Sequence, residues 1–207
     1  MNEHSFIFVS EMRIRDEQKE QKVREKALEL LVKLGFDGFS MQKLAKAAGV
    51  SPATLYIYFK DKEDLILKLG EEVGREMIEA TFKGFDKEMD LRTGLWVQWQ
   101  NRSAYYLNNR LQVEFYDQLK LTPYKDRLAE QISASFSEQM GGFMKNAIQK
   151  GETTHMKSEI FWSIAFAPLF NLIRFHLNKK SMGGKPYQLT DEDMKETFDL
   201  VIKALKK

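Results

Sequence analysis

Few of the 207 residues are of types that carry out covalent chemistry, and those few are poorly spaced for it. The chain has no cysteine, which removes a thiolate nucleophile, a disulfide scaffold and a cysteine zinc site. Its three histidines, His4, His155 and His176, stand far apart and at no metal-ligand spacing. Phosphate-cradling and dinucleotide-binding glycine patterns do not occur, nor does the G-x-S-x-G of an exposed nucleophilic serine. We therefore expect no enzyme activity, no metal and no cofactor. What remains is non-covalent chemistry, concentrated in two places. Hydroxyls, an amide and ammoniums cluster at Ser40, Gln42, Lys43, Thr54, Tyr56, Tyr58, Lys60 and Lys62. Between Gly38 and Lys62 four lysines face Asp61 alone, so this stretch is locally basic in a chain whose net charge is only +2. Such groups hydrogen-bond phosphates and base edges. Beyond residue 62 lie most of the aromatic residues, including all three tryptophans, which suit an apolar pocket.

The elements that must position these groups read as helices throughout. Val23, Ala27, Leu30, Leu31 and Leu34 fall at helical spacing before Gly35. Ser40 is an N-cap for a short helix that ends at Gly49-Val50, and Ser51-Pro52 opens the next, serine as cap and proline in the first turn. On a helical wheel Leu55 and Phe59 share the inward side, while Ala53, Thr54 and Ile57 lie opposite, flanked by Tyr56 and Tyr58. A short helix, a glycine turn and a half-buried second helix make a helix-turn-helix. Asp61, with Asp64 three positions on, caps a fourth helix striped by Ile66, Leu69, Val73 and Met77. Further helices are predicted over 89–108, 111–121, 124–149, 156–179 and 190–206, about nine in all, the last behind Thr190-x-x-Asp193. The stripe over 124–149 is Leu128, Ile132, Phe136, Met140, Phe143 and Ala147. No convincing strand pair occurs, so the fold class is all-α. Residues 1–12 read as a tail, 13–62 as the helix-turn-helix domain and 63–207 as a larger helical domain. The run Phe6-Ile7-Phe8-Val9 is too short for a signal-peptide core of about 7–15 residues. The greasiest stretch, Ile160 to Ile173, falls short of the ~20 residues of a spanning helix. A cytoplasmic setting without a membrane partner is the expectation.

The run Gly35-Phe36-Asp37-Gly38-Phe39-Ser40-Met41-Gln42-Lys43-Leu44-Ala45, followed by Ala48-Gly49-Val50-Ser51 and on through Phe59 to Leu65, closely resembles the TetR family of bacterial transcriptional regulators. The pattern G-V-S-x-x-T-L-Y-x-Y-F-x-x-K-x-x-L is present without a gap from Gly49 to Leu65. The resemblance covers about residues 16–66; the remainder matches the family in length and helical pattern alone. It implies a three-helix DNA-binding domain and a larger helical regulatory and dimerisation domain, working as a homodimer on a double-stranded operator. By that resemblance Ser40 caps near a phosphate, Gln42 reaches a base or phosphate, Thr54 and Tyr56 contact DNA from the recognition helix with Tyr58 beside them, and Lys62 contacts the backbone. Lys43, Ala53, Ile57 and Lys60 complete the expected DNA-facing set. The exposed ridge carries no arginine, so the usual bidentate reader of guanine is missing there.

In the larger domain Trp96, Trp99, Tyr105, Tyr106, Phe115, Phe136, Met140, Phe143, Trp162 and Phe166, with Met144 and Phe161 beside them, are the candidate lining of a pocket for an apolar or aromatic effector. For any single one of them core packing is the commoner outcome. Asn101, Arg102, Asn171, Arg174 and His176 are candidate polar groups within that domain. Residues 156–179 are apolar on more than one face, which points to a twofold interface through Phe161, Phe170 and Arg174, joined by Phe198 and Val201 of the last helix. The leading reading is a ligand-released repressor. The alternatives are a helical protein-interaction module, a transcriptional activator, and an enzyme built on helices, for which no acid, base or metal cluster is present.

Overall fold

A computed structural model describes the backbone of residues 3–207 and the side chains of 18–128 and 136–207. Among the described residues ten helices follow one another: α1 (Glu3–Gly38), α2 (Met41–Ala48), α3 (Pro52–Tyr58), α4 (Lys62–Phe82), α5 (Leu91–Asn108), α6 (Arg110–Leu119), α7 (Tyr124–Gln149), α8 (Ser158–Ala165), α9 (Ala167–Asn178) and α10 (Asp191–Leu205). Among the described residues β-pairing is limited to the isolated bridges Thr153–Lys206 and Lys180–Pro186. The all-α reading holds, with two differences in the helices. α1 extends back over residues 3–12, assigned above to a tail, because no proline or glycine interrupts the chain before its break at Gly35, where φ is 72°. The helix expected over 156–179 is two helices bent by 42°. Pro168 lacks an N–H and its ring would strike the carbonyl four residues back, so α8 stops and α9 restarts around Phe166. Among the described residues no single helix is long and apolar enough to cross a membrane.

The chain forms two compact units that do not follow its order. One comprises residues 1–74 together with 111–129, the other 75–110 together with 130–207. In the first, Val23, Ala27 and Leu31 of α1 pack with Leu44, Leu55, Phe59, Leu65, Ile66 and Leu69, all no more than 1% exposed. The later segment completes this core. Phe115 is stacked on Phe36 at 5.9 Å, and Gly70 lies so close to Leu119 and Leu128 that a Cβ there would meet their methyls at 2.9 and 2.7 Å. That contact makes Gly70 a static packing glycine. The second unit is built around Leu95, Trp99, Phe143, Phe166, Leu169, Ile173, Phe198 and Ile202. Gly94 admits Phe143 edge-on; a Cβ would sit 2.4 Å from that ring. Local capping is as the sequence indicates. Thr190 Oγ1 accepts the Asp193 N–H at 3.1 Å and Asp193 Oδ2 accepts the Thr190 N–H at 3.2 Å. Ile132, expected on the apolar stripe of α7, lies outside the described side chains.

Candidate functional site

The helix-turn-helix is α2, its turn, and α3. Ser40 has extended backbone, and its Oγ accepts the Lys43 N–H at 3.3 Å to start α2. Met41, Leu44, Ala45 and Ala48 form the buried face of that helix. Gly49 ends it at φ 69°, a left-handed turn that L side chains resist, and the Val50 N–H closes back on the Ala45 carbonyl at 3.0 Å. Ser51 caps α3, with its Oγ 3.2 Å from the Thr54 N–H and 2.9 Å from the Thr54 hydroxyl. Leu55 and Phe59 hold α3 down at 0% and 1% exposure, which leaves Tyr56 55% and Ile57 74% exposed beside Ala53. Thr54 and Tyr58 are half-buried on the flanks. Leu55 and Phe59 thus face inward and Ala53 and Ile57 outward as the wheel indicates, whereas Thr54, expected on the ridge, is half-buried, and Tyr56, expected on its flank, is exposed, as is Pro52, which the wheel puts near the inward side.

Cations brace this helix from behind. Phe59 lies between the Arg24 guanidinium, 5.6 Å from its ring centre, and the Lys68 ammonium, 5.5 Å away. Arg24 is itself held by Glu20 at 2.7 Å and Glu72 at 2.5 Å. Lys68 donates to the Tyr58 carbonyl at 3.1 Å and pairs with Asp64 at 3.0 Å. Burial works against ionisation of Asp64, but the Lys60 N–H and the Lys68 ammonium outweigh it and hold the carboxyl below its ordinary range. Arg24, Lys68 and Glu72 were not among the residues the sequence singled out; Arg24 and Glu72 are 48 positions apart, and no local spacing signals that pair. Gln42, Lys43, Lys46 and Lys60 are exposed on the same motif. Two lysines of the expected DNA-facing set have protein partners: Lys43 Nζ donates to the Gly38 carbonyl at 2.7 Å, and Lys62 Nζ to the carbonyls of Phe36 at 2.5 Å and Phe39 at 3.2 Å.

The candidate pocket residues do not converge on one space. A cleft of about 630 Å³ in the second unit is lined by Phe136, Met140, Met144, Phe161 and Trp162 of the expected set, and by His155 and Met156 among others besides. Trp99, Phe143 and Phe166 are 0% exposed core residues, and the Trp99 indole N–H is spent on the Ala165 carbonyl at 2.7 Å. Trp96 packs on Phe198 at 4.8 Å, and Tyr106 is 6.4 Å from Tyr105 and 5.0 Å from Phe170. Phe115 belongs to the first unit, because its ring fills the space beside Phe36. Similar corrections hold for the expected twofold face. Phe161, Phe198 and Val201 are only 6%, 2% and 5% exposed within the single chain, since its own core takes them up. Phe170 is half-buried against Trp162 and Tyr106, and exposed Arg174 donates to Asn171 at 2.8 Å. The exposed large apolar residues on α8 and α10 are Ile160, Trp162 and Leu200.

Comparison with known proteins bears on the motif and on the whole chain. The profile of the bacterial regulatory proteins of the tetR family matches residues 23–69. A fatty acid metabolism regulator protein of Bacillus subtilis is 36% identical over 61 residues, a match that spans 30% of this chain and only 31% of that regulator. The HTH-type transcriptional regulator YdeS of the same organism is 26% identical over 165 residues, 76% of this chain and 79% of its own length. The crystal structure of a TetR family transcription regulator from Marinobacter aquaeolei superposes with a TM-score of 0.77 at 27% identity, covering 94% of this chain and 99% of that one. The capped and braced helix-turn-helix thus matches the tetR family of bacterial regulatory proteins over residues 23–69, and the helical architecture is similar to that of a TetR family transcription regulator over 94% of the chain.

Proposed function

We propose that this protein is a homodimeric, sequence-specific DNA-binding regulator of transcription, and that it acts as a repressor released from its operator by an apolar or aromatic small molecule. The observation that carries the reading is the exposed ridge of α3. A 74% exposed isoleucine beside an exposed tyrosine and Ala53 is left uncovered by the described residues, while Leu55 and Phe59 anchor the helix beneath. That surface is small enough to enter a major groove, its apolar tip suits a thymine methyl, and its phenol suits a phosphate or base edge. DNA contact is assigned to residues 13–62, through Ser40, Gln42, Ala53, Thr54, Tyr56, Ile57, Tyr58 and the nearby lysines. Ligand binding and dimerisation are assigned to 63–207. The cleft of about 630 Å³ lies within the usual ~300–1,000 Å³ of small-molecule sites and supports an effector. α4 runs unbroken from Lys62 to Phe82 and so belongs to both compact units, a covalent route for coupling.

A twofold dimer requires an inverted repeat with half-sites about one helical turn, ~34–36 Å, or a multiple of it apart. Footprinting on the DNA flanking the protein's own gene, repeated across a salt series, tests this. Protection of an inverted repeat that weakens with salt is the expected result. Binding that ignores both sequence and salt overturns it in favour of a helical protein-interaction module. Transcription from the footprinted promoter in vitro then separates repression from activation.

A further inference from the structure

The second unit holds a buried charge that no described residue of the chain balances. Most polar groups marked in this region have structural duties. Asn101 donates to the carbonyls of Thr81 at 3.0 Å and Lys83 at 2.7 Å, closing the end of α4, and His176 Nδ1 accepts the Leu189 N–H at 3.1 Å. Arg102 is different. It is 6% exposed, and its guanidinium lies 4.4 Å from the ring centre of Phe166, 5.1 Å from Trp162 and 5.9 Å from Phe136. Nη2 donates to the neutral amide oxygen of Gln98 at 3.3 Å, and Nε is buried without an acceptor. No carboxylate pairs with it among the described residues. Three positions on, along the same side of α5, the Tyr105 hydroxyl is also buried without a hydrogen-bond partner, and besides burial the Glu76 carboxylate and Tyr106 disfavour its ionisation. Burial pushes the guanidinium down to about 10, with Tyr106 acting in the opposite sense, so it stays cationic at neutral pH. Ring faces attract a cation but offer no acceptor to Nε, and a buried cation without a counter-charge is costly.

Arg102 and Gln98 adjoin the cleft. Phe136 and Trp162 line the cleft and also face the guanidinium, while Met140, a third lining residue, accepts the Gln98 amide N–H on its sulfur at 3.2 Å. A single layer of side chains divides the cleft from the cation.

We propose that the cleft binds an amphipathic organic monoanion, an alkyl or aryl body among Phe136, Met140, Met144, Met156 and Trp162 with a carboxylate head on Arg102 and the Tyr105 hydroxyl. One cation and one hydroxyl complement one negative charge, and the Nε edge of a guanidinium presents parallel donors to the two oxygens of a carboxylate. Seating the head group turns one of the dividing rings aside and gives both orphaned donors an acceptor. This deepens the effector reading above and rests on it.

The test uses the full-length protein, with calorimetry and tryptophan fluorescence as readouts. The probes are dodecanoate and 2-naphthoate, each set against its neutral alcohol, dodecan-1-ol and 2-naphthylmethanol. At least one carboxylate should bind about 10- to 100-fold more tightly than its alcohol, the range of a desolvated charge-assisted pair. Whichever carboxylate wins distinguishes an alkyl from an aryl body. Arg102→Met should abolish the preference while keeping at least wild-type thermal stability, and Tyr105→Phe should lower it several-fold. If Arg102→Met does not fold, the wild-type ratio and Tyr105→Phe decide. Equal binding of acid and alcohol, no binding of either acid, or a preference that survives Arg102→Met overturns the proposal. Operator binding is measured in parallel. A protein that binds DNA but neither acid sinks this inference alone, whereas one that binds an acid specifically but no DNA sinks the regulator reading and leaves this one standing.

Discussion

Replacing Lys62 with methionine separates two tasks that fall on one ammonium. The side chain is half-buried, and Nζ gives two of its N–H groups to the Phe36 carbonyl at 2.5 Å and the Phe39 carbonyl at 3.2 Å. These carbonyls lie at the connection between α1 and α2, where the helix runs out of donors. Methionine keeps an apolar stem and removes both bonds. A charged donor contributes about 1.5–3 kcal/mol per hydrogen bond when fully desolvated. Water reaches a half-buried site and replaces part of that, so the net loss is about 1–2 kcal/mol for the pair. In a protein of this size that lowers Tm by about 2–8 °C. Thermal unfolding by circular dichroism reads the first task, and a gel-shift series from low to high salt reads the second. If bracing is the main task, Tm falls while the salt slope changes by well under the ~0.9 that one phosphate contact contributes. Lys60→Met, at an exposed position on the same motif, should do the reverse, leaving Tm alone and lowering the slope by about 0.9. An unchanged Tm for Lys62→Met, with a slope lower by about one contact, would refute the reasoning and return this lysine to the DNA backbone.

Ile57→Ala should leave stability within about 0.5 kcal/mol, because the side chain is 74% exposed, yet alter base preference at one operator position. Selection from randomised operators reads this, and a uniform loss across all sequences counts against groove contact. Gly94→Ala should cost about 1–3 kcal/mol by urea unfolding, since the new Cβ would lie 2.4 Å from the Phe143 ring; an unchanged midpoint means that the ring moves aside freely. Asp90 caps α5 through the Thr93 hydroxyl and N–H, which hold its carboxyl below the ordinary range. Asp90→Ala should therefore cost about 1 kcal/mol at neutral pH. The wild type's advantage is complete above an unfolded value of about 4 and fades as the pH falls through the lower folded one; a gap that persists at the acid end would rule out a charged cap. Leu200→Asp should leave a folded monomer in sedimentation analysis, whereas Phe198→Asp should unfold the chain, given exposures of 58% and 2%; a folded, dimeric Leu200→Asp protein excludes that contact.

What could be read from the residues was what depends on near neighbours. Ser40, Ser51-Pro52 and Thr190 act within three or four positions of themselves, and each caps the helix that its spacing indicates. The burial of Leu55 and Phe59 follows from their spacing of four, which also fixes what α3 leaves outside. Distant pairings left no such trace. Nothing in the run from Arg110 to Leu119 says that Phe115 stacks on Phe36. The lysine pattern of Lys60 and Lys62 does not reveal that one ammonium turns inward. Arg102 reads as an interior polar candidate, but that no described residue supplies its counter-charge appears only once Phe136, Trp162 and Phe166 are in place around it.

The assembly of the first unit from two stretches of chain bears on how the protein is made. Residues 1–74 leave the ribosome well before 111–129, the stretch that supplies Phe115 to Phe36 and Leu119 and Leu128 to Gly70. At a synthesis rate of about 5–20 residues per second, the nascent helix-turn-helix waits for seconds with that side of its core open to water. Its reading head is thus not a portable module. A fragment that stops at Gly74, or a chimera that exchanges only the amino-terminal part, would carry the recognition helix but not its lid. Exchanges between regulators of this architecture should therefore move both stretches together.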